Sequence, residues 1–285
     1  MAKNRNKDGK TGQKKIKYGK KEPVVRQSTR EPDEPQIRQA DIVDPFAMMQ
    51  TQPAGLGDID PAAPIRIHIR TFSSLHLGTG YADIHVDADV VQDDVGLPYF
   101  PAKRLKGLLY ESGCEVAEMA ETAELDLFDR AALDTLFQRG RVGQVQLILH
   151  NLYMEQYEEI HADLKHLEEK YPSIFRPDDV LGVYANLRWQ TRINRETGIA
   201  EQTTLHNMRV IEKGAAFSGE IRLVDARIEH LCILALAVRN LSQCGGKRTR
   251  GFGRIGCTLR QNGKDIVPAL ITKALGRQGR KGGRR

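Results

Sequence analysis

The sequence predicts an α+β fold in which helices pack against one face of an antiparallel sheet. Ile65, Ile67 and Ile69 alternate with polar residues, as in a half-buried strand. The run from Leu231 to Val238 is apolar on every side and indicates a buried helix. The predicted order is strand, loop, two helices, strand, hairpin, strand, helix, glycine-rich loop and strand. That order favours a ferredoxin-like sheet with long insertions.

The two ends of the chain differ from this fold in their charge. Residues 1–21 carry nine Lys or Arg against one Asp, and residues 273–285 carry six and no acid, although the net charge of the whole chain is only +6. The part between them is therefore acidic, and the basic isoelectric point describes the tails. We expect a basic extension over residues 1–60 that is disordered or ordered by a partner, one domain over 61–265, and a basic C-terminal tail over 266–285.

The first strand leads through a loop into a helix with a cationic start. The loop from Gly78 to Gly96 is rich in glycine and aspartate, and a helix is predicted from Ala102 to about Ala120. Acidic residues are favoured in the first turn of a helix, but this turn carries three cations. They are Lys103, Arg104 and Lys106. Cations here oppose the helix dipole, so this turn indicates an external anion as partner.

Shorter elements occupy the middle of the chain. The predictions are a helix from Phe128 to Phe137, a strand from Val145 to Leu149, a hairpin from Thr191 to Gly198 and a strand from Ala216 to Leu223. Residues 155–180 are acidic and begin as a helix. His161 and His166 within them lack the spacing of a metal motif, so we interpret both as surface residues.

A glycine-rich loop, Gly245–Gly256, follows the buried helix, which continues to Leu241, and leads into a strand from Arg254 to Arg260. Five glycines in this loop are mixed with four cations. The cations are Lys247, Arg248, Arg250 and Arg254. Glycine allows main-chain N–H groups to approach phosphate oxygens closely, and the cations attract those oxygens. We therefore expect the loop to hold the backbone of a nucleic acid.

Other interpretations of this loop fit less well. Gly251–Gly256 matches the dinucleotide-binding fingerprint, but that fingerprint needs a strand before it and a helix after it, and here the order is reversed. Arg248 follows Gly246-Lys247 where a P-loop would have Ser or Thr. A turn without a ligand would gain nothing from four cations that repel one another.

Cysteine spacing and hydropathy argue against other classes of protein. The four cysteines have no paired spacing, so neither a zinc site nor a disulfide framework is indicated. No apolar segment resembles a signal peptide, and none is long enough to span a bilayer. We expect a soluble, cytoplasmic protein with reduced thiols.

Five segments carry short motifs whose order is informative. They are Leu75–Gly78, Pro98–Gly107, Leu136-Phe137, Thr191–Ala200 and Gly245–Gly256. In this order they resemble the post-strand turn, the start of the first helix, the "L-F-G" signal, the hairpin called the thumb, and the C-terminal glycine-rich motif of the CRISPR-associated RAMP superfamily. Within that superfamily they are most similar to the backbone subunits of type III effector complexes. The resemblance covers about residues 63–260 and implies a ferredoxin-like (RRM-like) RAMP fold with a thumb hairpin inserted.

The resemblance implies a protein that holds a CRISPR guide RNA and presents it to complementary target RNA, beside other RAMP-type and large subunits. Base pairing would read the sequence, while the protein grips the sugar-phosphate backbone. The residues expected to contact RNA are His76, Lys103, Arg104, Lys106, Arg192, Lys247, Arg248 and Arg250. By resemblance the thumb, from Arg192 to Thr204, would wedge between nucleotides; otherwise it is an ordinary surface hairpin.

In catalytic relatives an aspartate after the first strand supports metal-dependent cleavage of the target RNA. The loop here holds Asp83, Asp87, Asp89, Asp93 and Asp94. Residues 87–93 resemble the family's "D-S-P-V-V-R-D", which places Asp87 at the catalytic position, with Mg²⁺ as the expected metal and Asp87 as its ligand. Two alternatives remain open. One is a non-catalytic structural or capping subunit, and the other is a metal-independent guide-processing endonuclease with His76 as general base.

Overall fold

A computed structural model describes residues 51–80, 86–139 and 145–276 of the chain. Its main sheet has six antiparallel strands, and a separate pair of strands forms a two-stranded sheet. The main sheet contains β1 (Ile65–Thr71), β2 (Gln146–Leu149), β3 (Tyr153–Met154), β6 (Ala216–Val224), β7 (Ile255–Gln261) and β8 (Lys264–Asp265). The two-stranded sheet contains β4 (Ala185–Gln190) and β5 (His206–Ile211). The helices are α1 (Ala102–Thr122), α2 (Arg130–Phe137), α3 (Tyr157–Lys170), α4 (Pro177–Tyr184), α5 (Ile228–Asn240) and α6 (Val267–Gly276).

Strand β1 lies at the centre of the main sheet, whose order is β2-β6-β1-β7-β8 with β3 beside β6. Its three isoleucines are completely buried, as their alternation predicts, while Arg66 and His68 point to the opposite face. The buried face is covered by helices, among which α1 packs on α5. The α+β class predicted from the sequence is therefore confirmed.

Helices α1 and α5 are joined by a buried polar contact as well as by apolar packing. Leu105 and Leu109 of α1 are fully buried in the core beside the apolar run of α5. The Ser112 hydroxyl donates a hydrogen bond of 2.8 Å to the carbonyl of Ala237. Because the hydroxyl finds a partner inside the helix pair, its burial costs little. This contact fixes how the cationic start of α1 is placed over the sheet.

The folded body extends beyond both limits expected from the sequence. Before residue 61, the Ala54 N–H donates to the Asp265 carbonyl at 2.9 Å, and the Asp265 N–H donates to the Gln52 carbonyl at 3.0 Å. After residue 265, α6 buries an apolar stripe against α5 and β7. The limits 61 and 265 are thus corrected, because the helical spacing of Val267, Leu270 and Ala274 is hidden beside the basic terminus. Residues 1–50 and 277–285 of the two expected tails lie outside the described residues.

The remaining predicted elements are present, and several short ones were not foreseen. The two strands and the two helices predicted in the first half of the chain are all present. The predicted hairpin, Thr191–Gly198, is the tip of the longer β4–β5 pair. Helix α4 and strands β3 and β8 had no strong pattern, since eight residues or fewer carry little periodicity. Among the helices of the described residues, none has both the length and the apolar character needed to cross a membrane.

We expect Leu109→Ala to destabilise the protein by about 2–5 kcal/mol, because the substitution leaves a cavity between α1 and the rest of the core. The measurement is the free energy of unfolding from a urea titration. Met119→Ala, on the exposed side of the same helix, is the control and should change stability by less than about 0.5 kcal/mol. Equal effects of the two substitutions would contradict the packing of α1 described above.

Candidate functional site

A pocket of about 520 Å³ opens where the loop after β1, the start of α1 and the glycine-rich loop meet. Four residues singled out in the sequence line it. They are His76, Asp87, Arg104 and Arg248. Gly78, Gly80, Ala88, Asp89, Leu108, Gly245 and Gly246 complete its walls. We refer to this as the junction pocket.

His76 is held in a defined orientation in the wall of the junction pocket. Its Nδ1 lies 2.8 Å from the carbonyl oxygen of Arg209. A carbonyl only accepts, so Nδ1 carries a proton and donates it to this oxygen. The ring also packs between glycines, since a Cβ on Gly78 would lie 2.6 Å from Nε2 and one on Gly246 would lie 3.2 Å from Cδ2. The glycines on both sides therefore make room for this imidazole.

Two main-chain N–H groups of the glycine-rich loop are hydrogen-bonded to the segment that follows β1. The N–H of Gly246 donates to the His76 carbonyl at 3.0 Å, and the N–H of Gly253 donates to the Ser74 carbonyl at 2.9 Å. Gly253 has φ of +75°, and a Cβ there would lie 1.8 Å from the carbonyl oxygen of Cys244. These glycines are needed for a close approach between backbone segments. The N–H groups of Gly246 and Gly253 are therefore not available to an anion in the junction pocket.

Two arginines supply the positive charge of the junction pocket. The Arg104 Nη2 donates to the Gly78 carbonyl at 2.8 Å, which leaves the other guanidinium donors for a ligand. Arg248 is partly exposed, and its ion pair among the described residues is a long one, 3.9 Å, with Glu111. A weak surface ion pair of this kind is readily exchanged for a phosphate.

The other five predicted RNA-binding residues do not line the junction pocket. Lys103 and Arg250 are exposed beside it. Lys106 donates to Gln138 at 3.4 Å, near the end of α2. Arg192 lies in the thumb tip.

Lys247 is the fifth of these residues, and it ties the glycine-rich loop to the thumb. Its ammonium group contacts the side-chain carbonyl of Gln190 and lies 3.2 Å from Nε2 of His206. Burial, and secondly the charge of Arg250, lowers the pKa of Lys247. Gln190 and His206 are directly opposite each other at the end of the β4–β5 pair that leads into the thumb tip. Lys247 therefore links the two structures that flank the junction pocket.

Asp87 is anchored by a reciprocal pair of hydrogen bonds with Asn207 of β5. The Asn207 N–H donates to Oδ2 of Asp87 at 2.8 Å, and the Asp87 N–H donates to Oδ1 of Asn207 at 2.8 Å. Asp87 itself is exposed in the pocket wall. Within the described residues, its second oxygen, Oδ1, has no hydrogen bond. The carboxylate is thus fixed in position by one oxygen and presents the other.

The remaining aspartates of the loop have other partners. Asp89 lines the junction pocket but lies 3.5 Å from Nε of Arg209. Asp93 accepts the N–H groups of Val95 and Leu97, so it caps a turn. Asp83 lies outside the described residues.

Asp94 belongs to a separate cluster of possible metal ligands formed with Asp93 and His161. The sequence showed no metal spacing around His161, because the cluster joins residues of the loop to residues of α3. The Asp94 carboxylate already has partners: Lys165 Nζ lies 2.7 Å from Oδ2, and His161 Nε2 lies 3.2 Å from Oδ1. Hydrogen bonds from Lys165 first and His161 second lower the pKa of Asp94 to about 2. The cluster is therefore an ion-paired contact between loop and helix.

The thumb, formed by β4, the tip at residues 191–205 and β5, exposes large apolar side chains among its polar ones. Trp189, Ile193 and Ile199 are each more than half exposed. The tip is closed by hydrogen bonds within residues 194–199, including one of 2.9 Å from the Asn194 N–H to the Ile199 carbonyl. Apolar side chains on a projecting hairpin are available to stack or insert against a flat partner.

The sequence matches the profile of the RAMP superfamily over residues 68–256, which is more than half of the chain. The chain belongs to the RAMP superfamily. Its resemblance to that family, derived from the five motifs above, is confirmed. No curated protein matches the sequence.

Solved structures with the same RAMP fold are distant in sequence. One is a chain from a cryo-EM structure of the type III-B Cmr-beta bound to cognate target RNA, with a TM-score of 0.52, 13% identity, and coverage of 74% of this chain and 99% of that chain. Another comes from the apo state of type III-B Cmr-beta, with a TM-score of 0.50, 12% identity, and coverage of 71% and 99%. At this identity the likeness shows a shared fold.

Two residues that support the site of this RAMP protein had no signal in the sequence. Asn207 holds Asp87, and Arg209 holds His76 through its carbonyl. The Arg209 guanidinium is nearly buried and lies within 3.5 Å of Asp89 and Asp178. Both residues belong to an ordinary strand sequence. Their role becomes visible only in the contacts that β5 makes with the loop after β1.

Gly253→Ala should destabilise the protein more than Gly251→Ala. Both glycines have positive φ, which costs an alanine about 1–2 kcal/mol. At Gly253 the new Cβ also meets the Cys244 carbonyl, whereas nothing lies within 4 Å of a Cβ at Gly251. We expect this overlap to cost about 1–3 kcal/mol more. The free energies of unfolding of the two variants measure the difference, and equal values would contradict the close backbone approach.

Proposed function

We propose that this RAMP protein is a guide-RNA-binding backbone subunit of a type III CRISPR effector complex, which also binds complementary target RNA and cleaves it in a metal-dependent way. Its partners would be the guide, the target, and other RAMP-type and large subunits. Membership of the superfamily and the similarity to Cmr-beta chains support the assignment to a type III complex. The observation that carries it is the junction pocket, which combines arginines with an anchored, exposed carboxylate.

Binding would depend on the backbone of the RNA. Arg104 and Arg248 lie on different elements, and their free donors face one cavity wide enough for a phosphodiester. Lys103 and Arg250 lie outside the cavity and would extend the positive surface along the strand. The exposed apolar thumb supplies faces on which bases stack. None of these contacts reads a base edge, as expected where the guide supplies the sequence specificity.

Cleavage would be an attack of a ribose 2′-oxygen on the adjacent phosphorus. The new 2′-O–P bond forms as the P–5′-O bond breaks, so the products are a 2′,3′-cyclic phosphate and a 5′-hydroxyl. The 2′-hydroxyl proton leaves to a base, and the departing 5′-oxygen gains a proton. Asp87 would position the attacking strand or assist the deprotonation through Oδ1. Its bonds to Asn207 hold that oxygen still while the RNA backbone distorts.

A Mg²⁺ ion fits this arrangement. Mg²⁺ prefers one or two carboxylate oxygens together with phosphate oxygens and water, and Oδ1 of Asp87 is a carboxylate oxygen without another partner in the described residues. Asp87 would hold the ion, which when bound would stabilise the negative charge that develops on the phosphate. It would also allow an acidic residue to lie beside RNA without repelling it.

Two observations favour the alternatives left open by the sequence. The bonds between Asp87 and Asn207 give Asp87 a structural role that needs no catalysis, which favours a non-catalytic structural or capping subunit. The contact at Nδ1 orients His76 in the wall of the junction pocket, as a general base acting through Nε2 would require, and this favours a metal-independent guide-processing endonuclease. That enzyme would cut repeat RNA in EDTA, and His76→Ala would abolish the cut.

Replacing both Arg104 and Arg248 by Ala should weaken the binding of single-stranded RNA by about 10- to 100-fold, because charge-assisted hydrogen bonds to phosphate are lost. The slope of affinity against salt should also fall by about one for each arginine. Filter binding at several salt concentrations measures both. The control is Arg130→Ala with Arg176→Ala, which removes the same charge from exposed sites outside the junction pocket. Equal losses in the two double variants would show that the pocket is not the binding site.

Asp87→Asn should abolish Mg²⁺-dependent cleavage of target RNA while leaving the fold and RNA binding intact. An asparagine oxygen still accepts the Asn207 N–H, but the negative charge is lost. Asp87→Ala should lose cleavage and also loosen the loop, which a lower thermal midpoint would report. The measurement is cutting of a labelled target by the assembled complex in Mg²⁺ and in EDTA. Undiminished cutting by the Asn variant would leave this chain a scaffold.

A further inference from the structure

The face of the main sheet that is turned away from the helices carries an unusual set of cations. On β1 these are Arg66 and Arg70 on either side of His68, and Arg260 joins them from β7. Arg66 is directly opposite Arg260, and His68 is directly opposite Thr258. We refer to Arg66, His68, Arg70, Thr258 and Arg260 as the open-face cluster. It is separate from the junction pocket, whose walls contain none of these residues.

The cluster's polar groups have no partners among the described residues. Arg66, Arg70 and Arg260 form no ion pair or side-chain hydrogen bond there. Nε of Arg260 and Oγ1 of Thr258 are buried atoms without a hydrogen bond. A buried donor or acceptor that is left unsatisfied costs about 1–3 kcal/mol. The cluster is therefore incomplete without a group that offers acceptor oxygens.

Like charges on opposite residues of neighbouring strands also oppose folding. Directly opposite side chains start only about 5 Å apart, and like charges at that distance destabilise the sheet. Burial, then Arg260, then Arg66 lower the pKa of His68 to about 4, so this histidine is neutral at pH 7 and adds no repulsion. The field of the two arginines, which adds to the effect of burial on this pKa, is also the field that an incoming anion would meet.

Acidic residues surround the open-face cluster. The adjoining hollow, of about 560 Å³, is lined by Arg66 and His68 on one side and by the acidic start of α3 on the other. The acids facing it are Glu155, Glu158, Glu159 and Glu220. Glu220 lies directly opposite Arg66 and is ion-paired with Arg222, and Asp265 lies opposite Arg260 at the far edge. The positive patch is therefore short and bounded by negative charge.

We infer that the open-face cluster docks an acidic segment of a partner polypeptide, whose Asp or Glu carboxylates take the guanidinium groups of Arg66 and Arg260. A planar guanidinium matches a carboxylate in a bidentate pair, and one carboxylate between two arginines cancels their repulsion. A peptide places single carboxylates a few residues apart, so it can satisfy the short patch and avoid its acidic border.

RNA fits this face less well. Its phosphates follow one another without a gap and would have to pass the acids at the border. Sheets of this shape that bind single-stranded RNA place aromatic rings on the outer face of their central strands for base stacking. On β1 and β7 those positions hold arginine, histidine and threonine instead. The surface is suited to protein, beside an RNA site elsewhere on the same chain.

The test uses the full chain and a fluorescently labelled Gly/Ser peptide that carries two glutamates a few residues apart, with binding measured by fluorescence anisotropy. Arg66→Ala with Arg260→Ala should weaken the affinity for the peptide by at least about fivefold. The charge-matched control, Arg130→Ala with Arg176→Ala, should change the affinity for the peptide by less than about twofold. The basic tails contribute equally to binding in both double variants. Affinity for oligouridine should be the same in the two double variants.

Three outcomes would overturn the inference. An equal loss of peptide affinity in both double variants would show only a general effect of charge. No loss of affinity in either variant would show that the tails bind the peptide. A loss of oligouridine affinity in the open-face variant would make this face an RNA surface. The thermal midpoint of the open-face variant should stay nearly the same, because the repulsion between Arg66 and Arg260 is removed together with their cross-strand attraction to Glu220 and Asp265. If it falls, Arg66→Gln with Arg260→Gln repeats the comparison with polar side chains retained.

Discussion

The site depends on the backbone hydrogen bonds of one short segment, residues 74–78, which follows β1. Leu75 exchanges two hydrogen bonds of 2.8 Å with Ile211 of β5, so the segment pairs with the thumb. On its other side, the carbonyls of Ser74 and His76 accept N–H groups from the glycine-rich loop. Arg104 reaches the carbonyl of Gly78 from α1. Three distant parts of the chain thus meet on one strip of extended backbone.

This arrangement explains why side chains of opposite charge share one pocket without neutralising each other. Arg104 is committed through one donor to a carbonyl, and Asp87 through one oxygen to the N–H of Asn207. Backbone dipoles hold each group by one atom, and the remaining atoms face the cavity. Had Arg104 and Asp87 paired directly, the gain from a surface ion pair would be small and neither would be available to a phosphate.

The two cationic surfaces of the RAMP protein differ in a way that suits two partners. The junction pocket has arginines on separate loops beside an apolar thumb, a combination suited to a strand with phosphates and bases. The open-face cluster has arginines fixed on neighbouring strands inside an acidic border, which suits isolated carboxylates. Because the helices and the open face lie on opposite sides of the sheet, a subunit of a larger complex could hold RNA and a protein neighbour at once.

The sequence by itself determined the elements and the family. Alternating isoleucines, an apolar run around Leu234 and five ordered motifs are local patterns, and local patterns specify which backbone forms and which face is buried. The sequence also singled out His76, Asp87, Arg104 and Arg248, and the structure brings these four together in the wall of one pocket. Only the tertiary structure decided which cations join them, that Asn207 and Arg209 support them, and that Arg66 faces Arg260. Those relations depend on strand register and loop contacts between residues far apart in sequence, which no local pattern encodes.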